Sequence, residues 1–382
     1  MQSNSSNSTL DRAQHLLPTV LLGVFVLVEF YSKYQRYLGH TTQVQKVVKA
    51  AGLAILLGLL TMHLAKIKKA IGQLVILIGI FAAGQFFTDP QFSQGALISF
   101  SRFLFPIILY LFFEHLRMDQ SSKALLFRLF EAFLVLNFLC ILLGLFTDIY
   151  VLKTYMGDRF GYNGLLLTSS TSTYVYICAL GYFYFQYGMA MFRNWKFWLA
   201  LASCLFIGTK SLYLGVVLFM LLVFAMSSFK YKKPLLVLGV LGFLGGLYVL
   251  FYQVPQFAEI TEQDGLLSSL LSYRDQLLLE QTLPYVNEQW GAVNYLFGGV
   301  SDFSLRSQMD LVDLTFFWGV LGALAYLLFY LSRYFTFRLE RKQLLFFILM
   351  AVVVIFAGNF FTYTSIPIYM VILREAALKS TP

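Results

Sequence analysis

A small set of ionisable side chains carries the chemistry this sequence can offer: Arg102, Arg159, Lys210, Arg274, Arg306, Asp310 and Asp313. Each lies within or beside apolar sequence, where an ionised group is expensive unless it has a partner or a ligand. Guanidinium groups clamp phosphate oxygens in a planar fork, and fixed cations stabilise a departing anion without a metal. Asp310 and Asp313 are three apart, so on a helix they share one face. Two neighbouring carboxylates raise each other's proton affinity and suit general acid/base work. Such a collection fits a polyanionic, membrane-tethered substrate, and a diphosphate fits well.

Every one of these residues also has a plainer explanation. Arg102, in Ser99-Phe-Ser-Arg-Phe-Leu-Phe-Pro, can snorkel to a membrane interface. Arg159, in Gly157-Asp-Arg-Phe-Gly-Tyr-Asn-Gly, can pair with Asp158, and Arg274 can sit beside Asp275 on a solvated face. Lys210 occupies the tight turn Gly208-Thr-Lys-Ser, where a nearby anion would satisfy it. Asp310 can pair with Arg306, four residues earlier.

The elements that must position these residues are read from hydropathy. The chain has 382 residues, 59% hydrophobic and only 12% charged, against roughly 25% charged in a soluble domain, which excludes a soluble enzyme and a disordered tail. Its 28 basic and 19 acidic residues give a net charge of +9, but the cations lie between apolar runs, so they orient the chain in a bilayer and do not mark nucleic-acid binding. Apolar runs open near Leu16, Val47, Ala70, Leu97, Leu125, Leu165, Trp195, Leu212, Leu235, Leu314, Leu344 and Thr364. At about 20 residues per span, they predict an all-α polytopic membrane protein of about twelve crossings. The pair flanking Gly208 and the final segment with Pro367 are the shortest. Residues 1–15 read as a disordered cytoplasmic tail, 16–374 as a single transmembrane domain and 375–382 as a second cytoplasmic tail.

With the amino terminus inside, alternate loops carry Lys66/Lys68/Lys69, Arg117/Lys123, Arg193/Lys196, Lys230/Lys232/Lys233 and Arg333/Arg338/Arg341/Lys342, as cytoplasmic loops should. Lys33, Arg36, Lys46 and Lys49 break the pattern and are expected to rest on lipid headgroups. Two extracytoplasmic loops, about 147–164 and 253–313, then hold most of the chemistry. The second contains leucines at 266, 267, 270, 271, 277 and 278, a spacing that predicts one amphipathic re-entrant or interfacial helix. Cys140, Cys178 and Cys204 lie in apolar runs as packed hydrophobes, and the four histidines are too scattered for a metal site.

The order of these features resembles the O-antigen polymerase and ligase superfamily of bacterial membrane glycosyltransferases. The matching pieces are Arg159-Phe-Gly-Tyr-Asn-Gly before a Ser/Thr-rich span, Gly208-Thr-Lys-Ser, Ser272-Tyr-Arg-Asp, Tyr295-Leu-Phe-Gly-Gly, Gln308-Met-Asp-Leu-Val-Asp and Trp318-Gly-Val-Leu-Gly, over about residues 155–330. The resemblance implies a C-type glycosyltransferase-like helical fold in the bacterial plasma membrane, both termini cytoplasmic, acting on undecaprenyl-diphosphate-linked glycans with no metal, cofactor or nucleotide sugar. Within it the absence of a His after His115 favours a polysaccharide repeat-unit polymerase over an O-antigen-type ligase. Arg159, Arg274, Lys210, Arg102 and Arg306 are then expected on the substrate diphosphate, with Asp310 or Asp313 as the catalytic carboxylate and Asp310 preferred. A flippase and a chain-length regulator are the candidate protein partners, besides membrane lipid. A lipid-linked glycan transporter is the rival of a different class, set back by the lack of internal repeats.

Overall fold

The computed structural model describes residues 3–62, 67–115, 118–155, 157 and 159–380. The chain is 81% helical, and its one β-pairing among the described residues is an isolated bridge between Lys153 and Tyr162. In order the helices are α1 (Ser3–Tyr37), α2 (Val44–Thr61), α3 (Lys68–Thr88), α4 (Gln94–His115), α5 (Gln120–Thr147), α6 (Ser169–Tyr187), α7 (Trp195–Ile207), α8 (Lys210–Met226), α9 (Lys232–Tyr252), α10 (Pro255–Gln263), α11 (Gly265–Leu271), α12 (Arg274–Leu277), α13 (Leu283–Gln289), α14 (Ala292–Phe297), α15 (Asp310–Tyr334), α16 (Arg341–Ala357) and α17 (Ile366–Ser380). Among the described residues seven are long and apolar enough to cross a membrane: α1 from Gln14, α2, α3, α4, α5, α9 and α15. α7 and α8 are shorter apolar helices; at about 1.5 Å per residue, the 13 residues of α7 fall short of a hydrocarbon core.

The core is aromatic and centred on α6, which is buried almost throughout and packs chiefly against α17. A helix apolar all round belongs inside a bundle. The helix α17 continues to Ser380, through residues expected in a terminal tail, and there Glu375 is buried and pairs with Lys123 at 2.8 Å. At the other terminus the backbone is helical from Ser3, where a disordered tail was expected. α9 is the opposite case, with Val237, Leu238, Leu241, Leu244 and Tyr248 exposed and packing mainly on α8 and α10.

One end of the bundle gathers the segments that carry the chemistry. There the Tyr37 ring meets Tyr150 at 5.8 Å, Ser93 Oγ donates to the Ser301 carbonyl at 3.0 Å, and the Tyr162 N–H donates to the Phe206 carbonyl at 2.8 Å. The opposite end is tied by Lys196–Glu131 at 2.6 Å and Arg333–Glu114 at 2.8 Å. The stretch from Gly265 to Glu280 is not the single amphipathic helix its leucines predict. Ser272 and Tyr273 both take left-handed backbone, φ 56° and 64°, which breaks it into α11 and α12 and re-aims Arg274. Consecutive non-glycine residues there store strain that the surroundings must hold.

Candidate functional site

A cavity of about 470 Å³ lies at the gathered end. One wall is polar: Tyr155 and Arg159 from the segment after α5, Ser169, Ser170 and Thr173 from α6, Thr209, Lys210 and Ser211 at the start of α8, and Ser272 and Arg274 beside α12. The other is apolar, from Leu214 and Leu218 of α8, Phe243, Leu247, Leu250 and Phe251 of α9, and Val352 and Phe356 of α16. Three of the expected cations thus share one chamber, and among the described residues no carboxylate lines it.

Close backbone approach makes this possible. Gly208 has φ 74°, and a Cβ there would strike the Phe160 carbonyl; a Cβ on Gly161 would strike the Ile207 carbonyl. The Arg159 loop therefore lies directly on the turn that carries Lys210. Arg159 stacks on the Tyr155 ring at 3.8 Å and faces Phe257 at 5.4 Å, while Lys210 lies over the same Phe257 ring at 4.6 Å and donates to the Ser269 carbonyl. Aromatic faces hold cations without neutralising them, so both keep donors for a ligand. Burial pushes the Tyr155 phenol above its ordinary pKa, with Arg159 pulling the other way. Asp158, the plainer partner for Arg159, lies outside the described residues, as do His63, Lys66 and Arg117.

The loop is fixed from behind by residues the sequence reading left elsewhere. Lys33 Nζ donates to Asn163 Oδ1 at 2.5 Å and to the Gly164 carbonyl at 2.7 Å, and Asn137 Oδ1 accepts from the Leu165 N–H at 2.7 Å. Lys33, expected on lipid headgroups, is 8% exposed and turned inward. Lys49 likewise pairs with buried Glu29, at 3.4 Å. Their cluster, with Arg36 and Lys46, in a segment that breaks the charge pattern was the available signal.

Arg274 does not occupy a solvated face with Asp275. Its Nη1 and Nη2 donate to the carbonyls of Phe356 and Ala357, at 2.7 and 2.6 Å, closing the C-terminal end of α16, while Asp275 accepts from Ser268. A cation there satisfies orphan carbonyls and meets the negative end of the helix dipole. Burial pushes the guanidinium pKa below its ordinary value, with Tyr174, Asp310 and Asp313 opposing.

The remaining expected site residues, Arg102, Arg306, Asp310 and Asp313, do not line the cavity. Asp310 is buried, and its two oxygens accept from the Phe360 N–H at 2.9 Å and the Phe361 N–H at 3.2 Å. Through these bonds it anchors the Asn359–Phe361 turn, which Tyr174 also braces by donating to the Gly358 carbonyl at 2.9 Å. The Asp310–Arg306 pair does not form. Arg306 Nε instead stands 3.5 Å from Asp313 Oδ2, and its Nη2 donates to Asn359 Oδ1 at 3.1 Å. Asp313 Oδ1 accepts from Ser307 at 3.0 Å, and its buried Oδ2 accepts no hydrogen bond among the described residues. Arg102 neighbours Arg306 and Tyr363 and does not line the cavity that holds the other three cations. Asn359, Tyr174 and Phe257 carried no readable mark, because their roles arise from contacts distant in sequence.

Compared with family models, curated proteins and solved structures, the chain matches none.

Proposed function

We propose that the protein is a membrane glycosyltransferase that polymerises undecaprenyl-diphosphate-linked repeat units into a polysaccharide on the outer face of the bacterial plasma membrane. The observation that supports this reading is the two-faced cavity: Arg159, Lys210 and Arg274 converge from three separate segments on one wall, and aliphatic and aromatic side chains of α8, α9 and α16 form the other. A ligand matched to both walls has a multiply charged anionic head on an apolar chain, as a lipid diphosphate does. On this reading α6, α7, α8, α16 and α17 complete twelve crossings of a C-type glycosyltransferase-like bundle, both termini are cytoplasmic, and the chemistry faces outward.

In the proposed reaction the donor's bond between sugar C1 and the diphosphate oxygen breaks, and the electron pair leaves with the diphosphate. The three cations stabilise that developing charge. An acceptor hydroxyl oxygen bonds to C1 and loses its proton. Asp313 is the better-placed proton acceptor of the two carboxylates, because one of its oxygens accepts no hydrogen bond among the described residues whereas both Asp310 oxygens are engaged. Held geometry supplies much of the acceleration.

The test is a purified system of protein and lipid-linked repeat units, with chelator and without nucleotide sugar. The expected result is a ladder of products, unslowed by chelator. If the protein instead moves the lipid-linked glycan between leaflets and forms no ladder, the transporter reading replaces this one.

A further inference from the structure

A second group of cations stands apart from the cavity. Arg102, half-buried in α4, makes no hydrogen bond or ion pair among the described residues. Packing brings it beside Arg306: the Phe103 ring meets Phe303 at 5.7 Å, and the Arg306 guanidinium lies over Phe303 at 5.1 Å. Lys49 is a further electrostatic neighbour of Arg102. Glu29 answers Lys49 at 3.4 Å, and Asp313 answers Arg306 loosely at 3.5 Å. Nothing among the described residues answers Arg102. An uncompensated guanidinium facing a second one in a partly buried place raises the energy of the empty protein, as expected where a ligand anion completes the set.

We propose that Arg102 and Arg306 form a second anion site, distinct from the three-cation cavity, that takes the diphosphate headgroup of the lipid-linked glycosyl acceptor. The assignment of the ligand rests on the polymerase reading. In that reaction only the donor loses its lipid diphosphate; the acceptor keeps its own, so two such groups must be held at once. The turn after α16 links the two sites. Arg274 holds the Ala357 carbonyl and Arg306 holds Asn359 Oδ1, so chain reach limits the separation of their guanidinium groups to under about 20 Å. That span suits two headgroups whose glycans meet between them.

The experiment titrates full-length protein in phosphatidylcholine nanodiscs with farnesyl diphosphate by calorimetry. Two equivalents are expected for wild type. Arg102→Gln should bind one, with the remaining affinity within about twofold, and Arg102→Lys should keep both with the second weakened. Arg102→Gln should also raise the melting temperature of the unliganded protein, because it removes repulsion; a structural arginine would lower it. One equivalent in wild type, or two undiminished equivalents in Arg102→Gln, overturns the proposal. Repeating the titration with phosphatidylglycerol in the nanodisc separates sources: loss of the second equivalent would make it a bulk-lipid headgroup site and overturn the acceptor assignment, and its persistence supports it. Inorganic diphosphate alone should occupy both sites more weakly; equal affinity would show that no lipid-linked ligand is selected. Two equivalents without a product ladder would sustain the second anion site and sink the polymerase reading, so the two failures are distinguishable.

Discussion

At the scale of single residues, the two carboxylates that look alike in sequence have opposite surroundings. Asp310 accepts two backbone N–H groups, whereas Asp313 keeps one oxygen that accepts no hydrogen bond among the described residues. Asn at this position has one carbonyl where two acceptors are needed, so Asp310→Asn should lose about 1–3 kcal/mol of stability, read as reduced folded protein in the membrane. Asp313→Asn should instead leave folded protein at near wild-type abundance and lower turnover by about 10²-fold or more, measured as ladder formation with substrate binding retained. Should both variants lose abundance equally, Asp313 is a structural partner of Arg306 and no more. Arg274→Ala removes both a cavity cation and the closure of α16, so it should abolish product and cost up to about 2 kcal/mol. Arg274→Lys should restore insertion but only part of the activity, because a point charge cannot hold two carbonyls and a ligand as a planar fork does.

At the scale of elements, the site depends on two segments lying closer than side chains permit. Gly208→Ala adds both a left-handed backbone penalty and a collision with the Phe160 carbonyl, at about 1–3 kcal/mol. Displacing that turn moves Lys210 away from Arg159, so prenyl diphosphate binding should fall further than melting temperature does. Equal binding at a lowered melting temperature would mean the three cations do not act together. These elements also show what a sequence can disclose. Arg159, Lys210 and Arg274 were legible because charge is scarce in an apolar chain and each needs a reason. The gathering of Arg159 and Lys210 around Phe257 was not, since it depends on residues about fifty to one hundred positions apart. The break at Ser272 and Tyr273 was hidden because six leucines carry a helical period through it, and neither residue type announces left-handed backbone. The separation of Arg102 and Arg306 from the other cations was hidden for a similar reason: the turn at Gly358–Phe361 that stands between them belongs to a distant stretch of apolar sequence.

At the scale of the whole molecule, the proposed orientation makes a direct prediction. Gln289 is exposed at the end of α13, so a cysteine there should react with an impermeant maleimide added to intact cells, with native Cys140, Cys178 and Cys204 replaced. Reaction only after the membrane is opened would invert the bundle and put the cavity on the wrong side for flipped substrate.

α9 gives the cavity part of its apolar wall while resting on little besides α8 and α10. A wall held so lightly can work as a sideways door: a spent lipid could slide out between helices into the bilayer without its apolar chain ever crossing water. Product length would then be set by a race, because a donor that departs before the next unit arrives ends its chain. Cysteines in place of Leu221 and Gly239, which touch where α8 meets α9, would bolt that door when oxidised. The expected outcome is a single bond formed per protein followed by arrest, with reduction restoring the ladder; continued elongation in the oxidised protein would mean that lipid leaves by another route.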